Sequence, residues 1–377
     1  MWEKAKILKT LRWTDWATDK LPFLVITCFY VCLAYSKYSL VFIRDFFIFI
    51  AFASVSSLYG YLINEFGDKE PDRQEGKSNT FLNISNAKAV AVVSILFLLV
   101  ILTGIKFIKE DYFIFLWVIQ IFLSTFYSLK PIRFKERGGV GIAAACFAQS
   151  PLPIMLLFSA FGVFGGWDMW SIACCAIVIG LGKEIGHQAF DAVNDVKSGT
   201  ATMGSKIGME KMTKLYRKAL VVERIAWLVF MMIILIKVPW FVLPVVFLFA
   251  VLFLQTVYLD IANMKNKDFY DPYYQWESRQ WTSPYNLLHI YFPNVILPIS
   301  LALIITLKYP LFLIVFAGLL FFINFNFSDL SLKDHLFSLF VIFYQKGSNL
   351  RIFNLLKKKI LHSQFLQKKT SEQKDEK

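Results

Sequence analysis

The chain has 377 residues, 57% of them hydrophobic and 18% charged, with 40 Lys and Arg against 27 Asp and Glu. An ordinary soluble domain is about 45–50% apolar and about 25% charged, so this composition excludes a typical soluble enzyme as well as a disordered or collagen-like chain. All five cysteines fall inside apolar runs, which offers no disulfide framework and no zinc spacing and reads as small buried hydrophobes.

Residues 1–20 mix Glu3, Asp15 and Asp19 with five bases, the pattern of a cytoplasmic N-terminal segment rather than a cleaved signal peptide. Apolar runs then follow near 21–37, 40–64, 88–108, 111–128, 139–163, 170–194, 219–237, 239–260, 286–307 and 309–326. About 20 apolar residues cross a bilayer as a helix. The runs therefore predict an all-α polytopic membrane bundle of nine to ten transmembrane helices over 21–326. Short links such as Lys37–Ser39 and Lys237–Pro239 imply antiparallel neighbours.

Charge sets the expected orientation. With the N-terminus inside, 31 of the 40 Lys and Arg fall in the cytoplasmic segments and 5 in the outer turns, as cytoplasmic retention of basic loops requires. The net charge of +13 is thereby explained by a partner of anionic lipid headgroups, without nucleic acid. The tail, 327–377, carries Lys357-Lys358-Lys359 and a charged end; it reads as a basic cytoplasmic tail, with Leu336 to Leu361 amphipathic enough to lie on the membrane.

The second run ends in SSLYGYLINEFGDKEPDRQEGKSNT. Asn64, Asp68 and Asp72 recur every four residues and form one stripe on a helix, which Ser54, Ser57 and Tyr61 extend into the apolar part. Lipid cannot satisfy such a face, so it turns into the bundle. Pro71 and Gly76 predict that the helix breaks soon after Asp68, placing Asp72 on a loop. The segment YSLKPIRFKERGG follows the fourth run and sets Lys130, Arg133, Lys135 and Arg137 beside Tyr127. The sixth run closes in GLGKEIGHQAFDAVND, where Glu184, His187 or Gln188, Asp191 and Asp195 share a face. Two clusters of oxygen ligands near one membrane face suit Mg²⁺, which binds through one or two carboxylates plus substrate phosphates. Basic side chains opposite a metal site suit a polyphosphate bridging both.

The pattern N-x-x-x-D-x-x-x-D at Asn64, Asp68 and Asp72, with D-x-x-x-D at Asp191 and Asp195, resembles the UbiA superfamily of intramembrane prenyltransferases. The middle element is similar to that of its chlorophyll-synthase-like branches. The resemblance spans about residues 21–310 and implies nine helices around a central cavity. It further implies Mg²⁺ held by Asn64, Asp68 and Asp72 on one side and by Asp191 and Asp195 on the other. Arg133, Lys135 and Arg137 then grip the diphosphate of an isoprenoid donor, and Tyr127 lines the pocket. One departure is Glu65, which stands where that family commonly has the first Asp.

The implied activity is Mg-assisted ionisation of an allylic polyprenyl diphosphate and transfer of the isoprenyl group to a hydrophobic acceptor, by analogy an aromatic quinone precursor. His187, one turn before Asp191, is a candidate to orient the acceptor or take its proton; the alternative is a structural histidine bonded to Glu184. A UbiA-type terpene cyclase and a proton-coupled transporter using Lys183, Glu184 and His187 are the competing readings. The cellular site expected is the bacterial inner membrane, with the acidic motifs cytoplasmic.

Overall fold

The computed structural model describes residues 8, 10–18, 20–198, 203–238, 240–266 and 287–327, with side chains for all of these except 75, 190–198, 259, 262–266 and 327. In chain order the helices are α1 (Trp13–Trp16), α2 (Leu21–Ala34), α3 (Leu40–Gly67), α4 (Lys69–Glu75), α5 (Asn86–Gly104), α6 (Phe113–Phe126), α7 (Gly139–Gln149), α8 (Pro151–Ala160), α9 (Trp167–Ser198), α10 (Met203–Ile207), α11 (Met209–Lys237) and α12 (Leu243–Asn266). A π-helical segment (Leu287–Ile296) leads into α13 (Leu297–Lys308), and α14 (Leu313–Phe327) follows.

The all-α bundle expected from the sequence is present. Every predicted run is helical, but only eight spans among the described residues are long and apolar enough to cross a bilayer. Phe113–Phe126 and Pro310–Asn326 are shorter apolar helices. The fifth run is two helices in one span: Pro151 cannot continue a helical ladder inside a turn, so α7 ends at Gln149 and α8 restarts with proline in its first turn. The amphipathic tail segment, 336–361, lies outside the described residues.

Local chemistry sets the helix starts. Ser39 accepts from the Phe42 N–H at 3.1 Å and Ser85 from the Lys88 N–H at 3.4 Å, each satisfying a donor that has no partner within its own helix. α2 is apolar all round, with Leu24, Ile26, Phe29, Val31 and Cys32 all buried. Such a helix belongs at the centre of a bundle, and α2 packs against α3, α8, α11, the π segment and α13. At the end of the bundle away from the acidic motifs, fully buried Asp168 accepts from Tyr30 Oη at 2.6 Å and from Tyr35 Oη at 2.9 Å. Two hydroxyl donors and the N-terminus of α9 offset that buried charge.

The N-terminal segment is not separate from the bundle. Trp13 Nε1 donates to Asn326 Oδ1 on α14 at 2.6 Å, and Tyr61 Oη on α3 donates to the Asp15 carbonyl at 3.0 Å. Residues 12–16 therefore strap the end of α3 to the last helix, beside the acidic motif.

Candidate active site

α3 carries its polar stripe into the bundle, as its spacing predicts. Ser57, Tyr61 and Asn64 line a chamber of about 140 Å³, together with Lys20 and Leu24 at the start of α2, Ser124 and Tyr127 of α6, and Gln149 and Pro153 at the α7–α8 junction. The same chamber reaches Phe49 and Phe52. At 1.5 Å per residue the wall from Asn64 to Phe49 is about 22 Å long, polar at one end and aromatic at the other.

α3 stops at Gly67, and Asp68 caps it. The loop after α6 passes so close here that a Cβ on residue 67 would lie 2.9 Å from the Ser128 carbonyl; only glycine allows the approach. Asn64 Oδ1 accepts from Ser128 Oγ. Arg133 then ties the two segments together: its Nη1 donates to the carbonyls of Gly67 and Ser128, at 3.1 Å each, and its Nη2 to Asp68 Oδ1 at 3.2 Å. Its backbone sits at φ 47°, a conformation non-glycine residues rarely hold and one that persists where the surroundings over-determine it. Lys135 pairs with the same Asp68 oxygen.

Asp72 lies on the short helix α4 rather than a loop, because the chain restarts at Lys69 and turns only at Gly76, φ 67°. Asn79 Nδ2 donates to Asp72 Oδ2 at 2.7 Å. Burial pushes the Asp72 carboxyl above its ordinary range, the Asn79 bond pulls it back, and neighbouring Asp68 adds to the rise. A carboxyl raised in this way beside a second carboxylate suits a cation shared by the two.

The structure thus brings Asn64, Asp68, Asp72, Arg133 and Lys135 together, with Tyr127 on the chamber wall within electrostatic reach of Asp68 and Glu184. Arg137 is placed differently: it is exposed, and its Nε donates to the Ile132 carbonyl at 2.8 Å. Asp191 and Asp195 ride on the last turns of α9, with side chains outside the described residues. His187, one turn earlier, is exposed. Among the described residues no three His, Cys, Asp or Glu side chains converge enough to hold a metal alone. The donor set is nonetheless all hard oxygen, which fits Mg²⁺ bound jointly with a diphosphate.

Glu65 faces elsewhere. It is buried, its Oε1 takes Arg12 Nη1 at 3.3 Å and its Oε2 the Thr80 N–H at 2.9 Å, while its carbonyl takes Asn79 Nδ2 at 2.7 Å. Asn79 in turn holds Asp72, so Glu65 ties the N-terminal strap to the loop behind the motif. Substituting Glu65→Ala should lower thermal stability by about 1–3 kcal/mol, the cost of stranding charged hydrogen-bond partners. The Mg²⁺ concentration for half-maximal activity should stay within about twofold of wild type; a tenfold rise in titrations would make Glu65 a ligand.

Arg12, Asn79 and Ser128 are functional neighbours that sequence pattern did not single out. Ser128 carried a signal, being next to Tyr127 in the basic segment; Arg12 and Asn79 lie 53 and 14 positions from Glu65, without periodicity.

A family model described as the UbiA prenyltransferase family matches residues 24–270. Among solved structures, a UbiA homolog from Archaeoglobus fulgidus bound to GPP and Mg²⁺ is similar at TM-score 0.55 and 17% identity, over 79% of this chain and 99% of that one. The same homolog bound to DMAPP and Mg²⁺ gives 0.53 and 16%, over 78% and 98%. A structure concerned with digeranylgeranylglyceryl phosphate synthase in membranes gives 0.51 and 16%, over 78% and 98%. At these identities the likeness is one of fold. No curated protein matches the chain.

Proposed function

Because the chain belongs to the UbiA prenyltransferase family, we propose that it moves an isoprenyl group from an allylic polyprenyl diphosphate to a hydrophobic, hydroxyl-bearing aromatic acceptor. The observation that carries this reading is the Asp68 cluster, one helical turn beyond Asn64 at the polar end of a chamber whose other end is aromatic. The donor's diphosphate belongs at the first and its hydrocarbon tail along the second. The A. fulgidus homolog was solved with GPP and Mg²⁺, which supports the same pairing here.

Asn64, Asp68 and Asp72, with Asp191 and Asp195 from α9, are the residues that would hold Mg²⁺. When bound, Mg²⁺ supplies Lewis acidity to the leaving diphosphate. Asp68 pairs with Lys135 and Arg133. On donor binding these two bases transfer to diphosphate oxygens and leave Asp68 free to bind cation. Their charge then stabilises the negative charge that grows as the C1–O bond breaks. Phe49, Phe52, Tyr61 and Tyr127 present ring faces to the allylic cation and exclude water from it. His187 and Arg137 have a share in this reading at the outer rim, orienting acceptor and diphosphate respectively. The bias of Lys and Arg supports a cytoplasmic position for the motifs, and a bacterial inner membrane is the location this reading expects.

Two competing readings are a transporter and a cyclase. A transporter needs polar groups across the whole bilayer, whereas along α3 the chamber wall changes from Asn64, Tyr61, Ser57 and Ser56 to the aromatic Phe52 and Phe49. A cyclase needs no second hydrophobic substrate, and product analysis separates it from a transferase. Membranes containing the protein, incubated with labelled GPP, should yield a labelled prenylated lipid by mass spectrometry. The product should vanish with EDTA and return with Mg²⁺. A labelled cyclic hydrocarbon would instead establish a cyclase, and indifference to chelator would remove the metal chemistry.

A further inference from the structure

Along α3 the chamber wall runs from Asn64 through half-buried Tyr61 and Ser57 to Phe52 and Phe49, which are only 2% and 1% exposed. Leu156 of α8 lines the same chamber and is buried as well. Behind the two phenylalanines stands a continuous cluster of rings. Phe52 packs on Phe113 at 5.6 Å and on Trp117 at 5.8 Å, and Phe49 packs on Phe107 at 5.9 Å and on Phe161 at 6.0 Å. Phe49 and Phe52 lie 5.9 Å apart, and Phe107 and Phe113 join the two halves at 5.4 Å. The chamber therefore ends blind at its aromatic end.

This floor has no room to retreat. On α5, which packs along α3, Gly104 lies so close behind it that a Cβ there would stand 2.6 Å from the Trp117 ring and 3.1 Å from Phe52 Cε2. Rings already seated against backbone have no free volume to move into, and close-packed interiors resist compression. The surrounding solvent matters too. Lipid tails are as apolar as the chamber, so a longer isoprenoid gains little by leaving the bilayer to enter it. Chain length is felt only where the tail meets the rings, as overpacking.

We propose that Phe52, held in place by Trp117 and Gly104 and flanked by Phe49, is the floor that sets the longest isoprenoid donor this protein takes, at three isoprenyl units. The rise of α3 puts Asn64 and Phe52 about 18 Å apart along its axis. An isoprenyl unit has four main-chain bonds of about 1.5 Å each, which project to about 5 Å. With the diphosphate at Asp68, one turn beyond Asn64, the donor's C1 is level with Asn64. Three units then reach the Phe52 ring, and a fourth overruns it. The rings that keep water from the allylic cation thus also measure the tail behind it.

The proposal rests on the prenyl-transfer reading for the identity of the tail, and its test reads binding rather than turnover. Full-length protein in phosphatidylcholine nanodiscs with Mg²⁺ is titrated with geranyl, farnesyl and geranylgeranyl S-thiolodiphosphates, whose C–S bond resists ionisation. The geranyl and farnesyl compounds should bind within about tenfold of each other, and the geranylgeranyl compound about 10- to 100-fold more weakly. Phe52→Ala should bring the geranylgeranyl compound within about threefold of the farnesyl one, by opening a cavity at the floor. Phe52→Leu, which keeps the site apolar and filled, should do so in part. Phe249→Leu, at a buried ring outside the chamber, should leave the preference as in wild type. Equal binding of the farnesyl and geranylgeranyl compounds by wild type, as when a tail escapes sideways between helices, overturns the proposal. A preference unchanged in Phe52→Leu does the same. Length-selective binding in a protein that yields no prenylated product from GPP keeps the floor and removes the prenyl-transfer reading alone; failure of all three compounds to bind removes both.

Discussion

Asp68→Asn should lower the rate of GPP cleavage by about 10³-fold, close to 4 kcal/mol of transition-state stabilisation. The cap at the end of α3 is made by the Asp68 backbone N–H, and the side chain keeps its shape, so the cap survives. What disappears is the anion that Lys135 and Arg133 share and that a divalent cation would need. The variant should also bind Mg²⁺ and donor less cooperatively, since each helps the other only through the carboxylate. Expression and detergent stability should fall little, because two cations left near one another are still partly wetted, at 13% and 23% side-chain exposure. Turnover within tenfold of wild type, measured on protein of matched monodispersity, would sink the assignment of Asp68.

The second large effect separates the two bases. Arg133→Lys should fare almost as badly as Arg133→Ala, with kcat/KM for donor down about 10²-fold. An ammonium cannot reproduce the guanidinium fork that reaches Gly67, Ser128 and Asp68 at once. Lys135 makes one charge contact to Asp68, so Lys135→Arg should retain activity within about tenfold while Lys135→Met loses about 10²-fold, mainly through KM. The Arg133 variants should also melt earlier, because two carbonyls and a carboxylate lose a shared donor. Equal tolerance of both lysine–arginine exchanges would mean that the segment acts only through its net charge.

Much of the bundle could be read from the chain because lipid enforces it. A backbone in hydrocarbon must satisfy its hydrogen bonds internally, so runs of apolar residues become helices wherever they occur. The i, i+4, i+7 spacing of Ser57, Tyr61 and Asn64 could point only inward for the same reason, and it lines the chamber. Two details were less visible. The run at 139–163 is apolar on both sides of Pro151 and so reads as one span, and the proline inside it was the local signal that it divides into two helices. Asp72 looked destined for a loop because Pro71 follows so soon after Asp68, yet proline is well tolerated in a first turn, and α4 begins two residues before it.

Residue types and spacing alone determined the helical class, the inward face of α3 and the grouping of acids with bases, since these depend on period and on the cost of polar atoms in lipid. Tertiary structure alone decided which acid serves which partner. Glu65 and Asp68 are three residues apart and chemically alike, but one is consumed by Arg12 and Thr80 and the other faces Arg133 and Lys135. The Glu223–His289 pair joins residues 66 positions apart. No local pattern records such encounters, because they follow from which helix faces meet when the bundle closes.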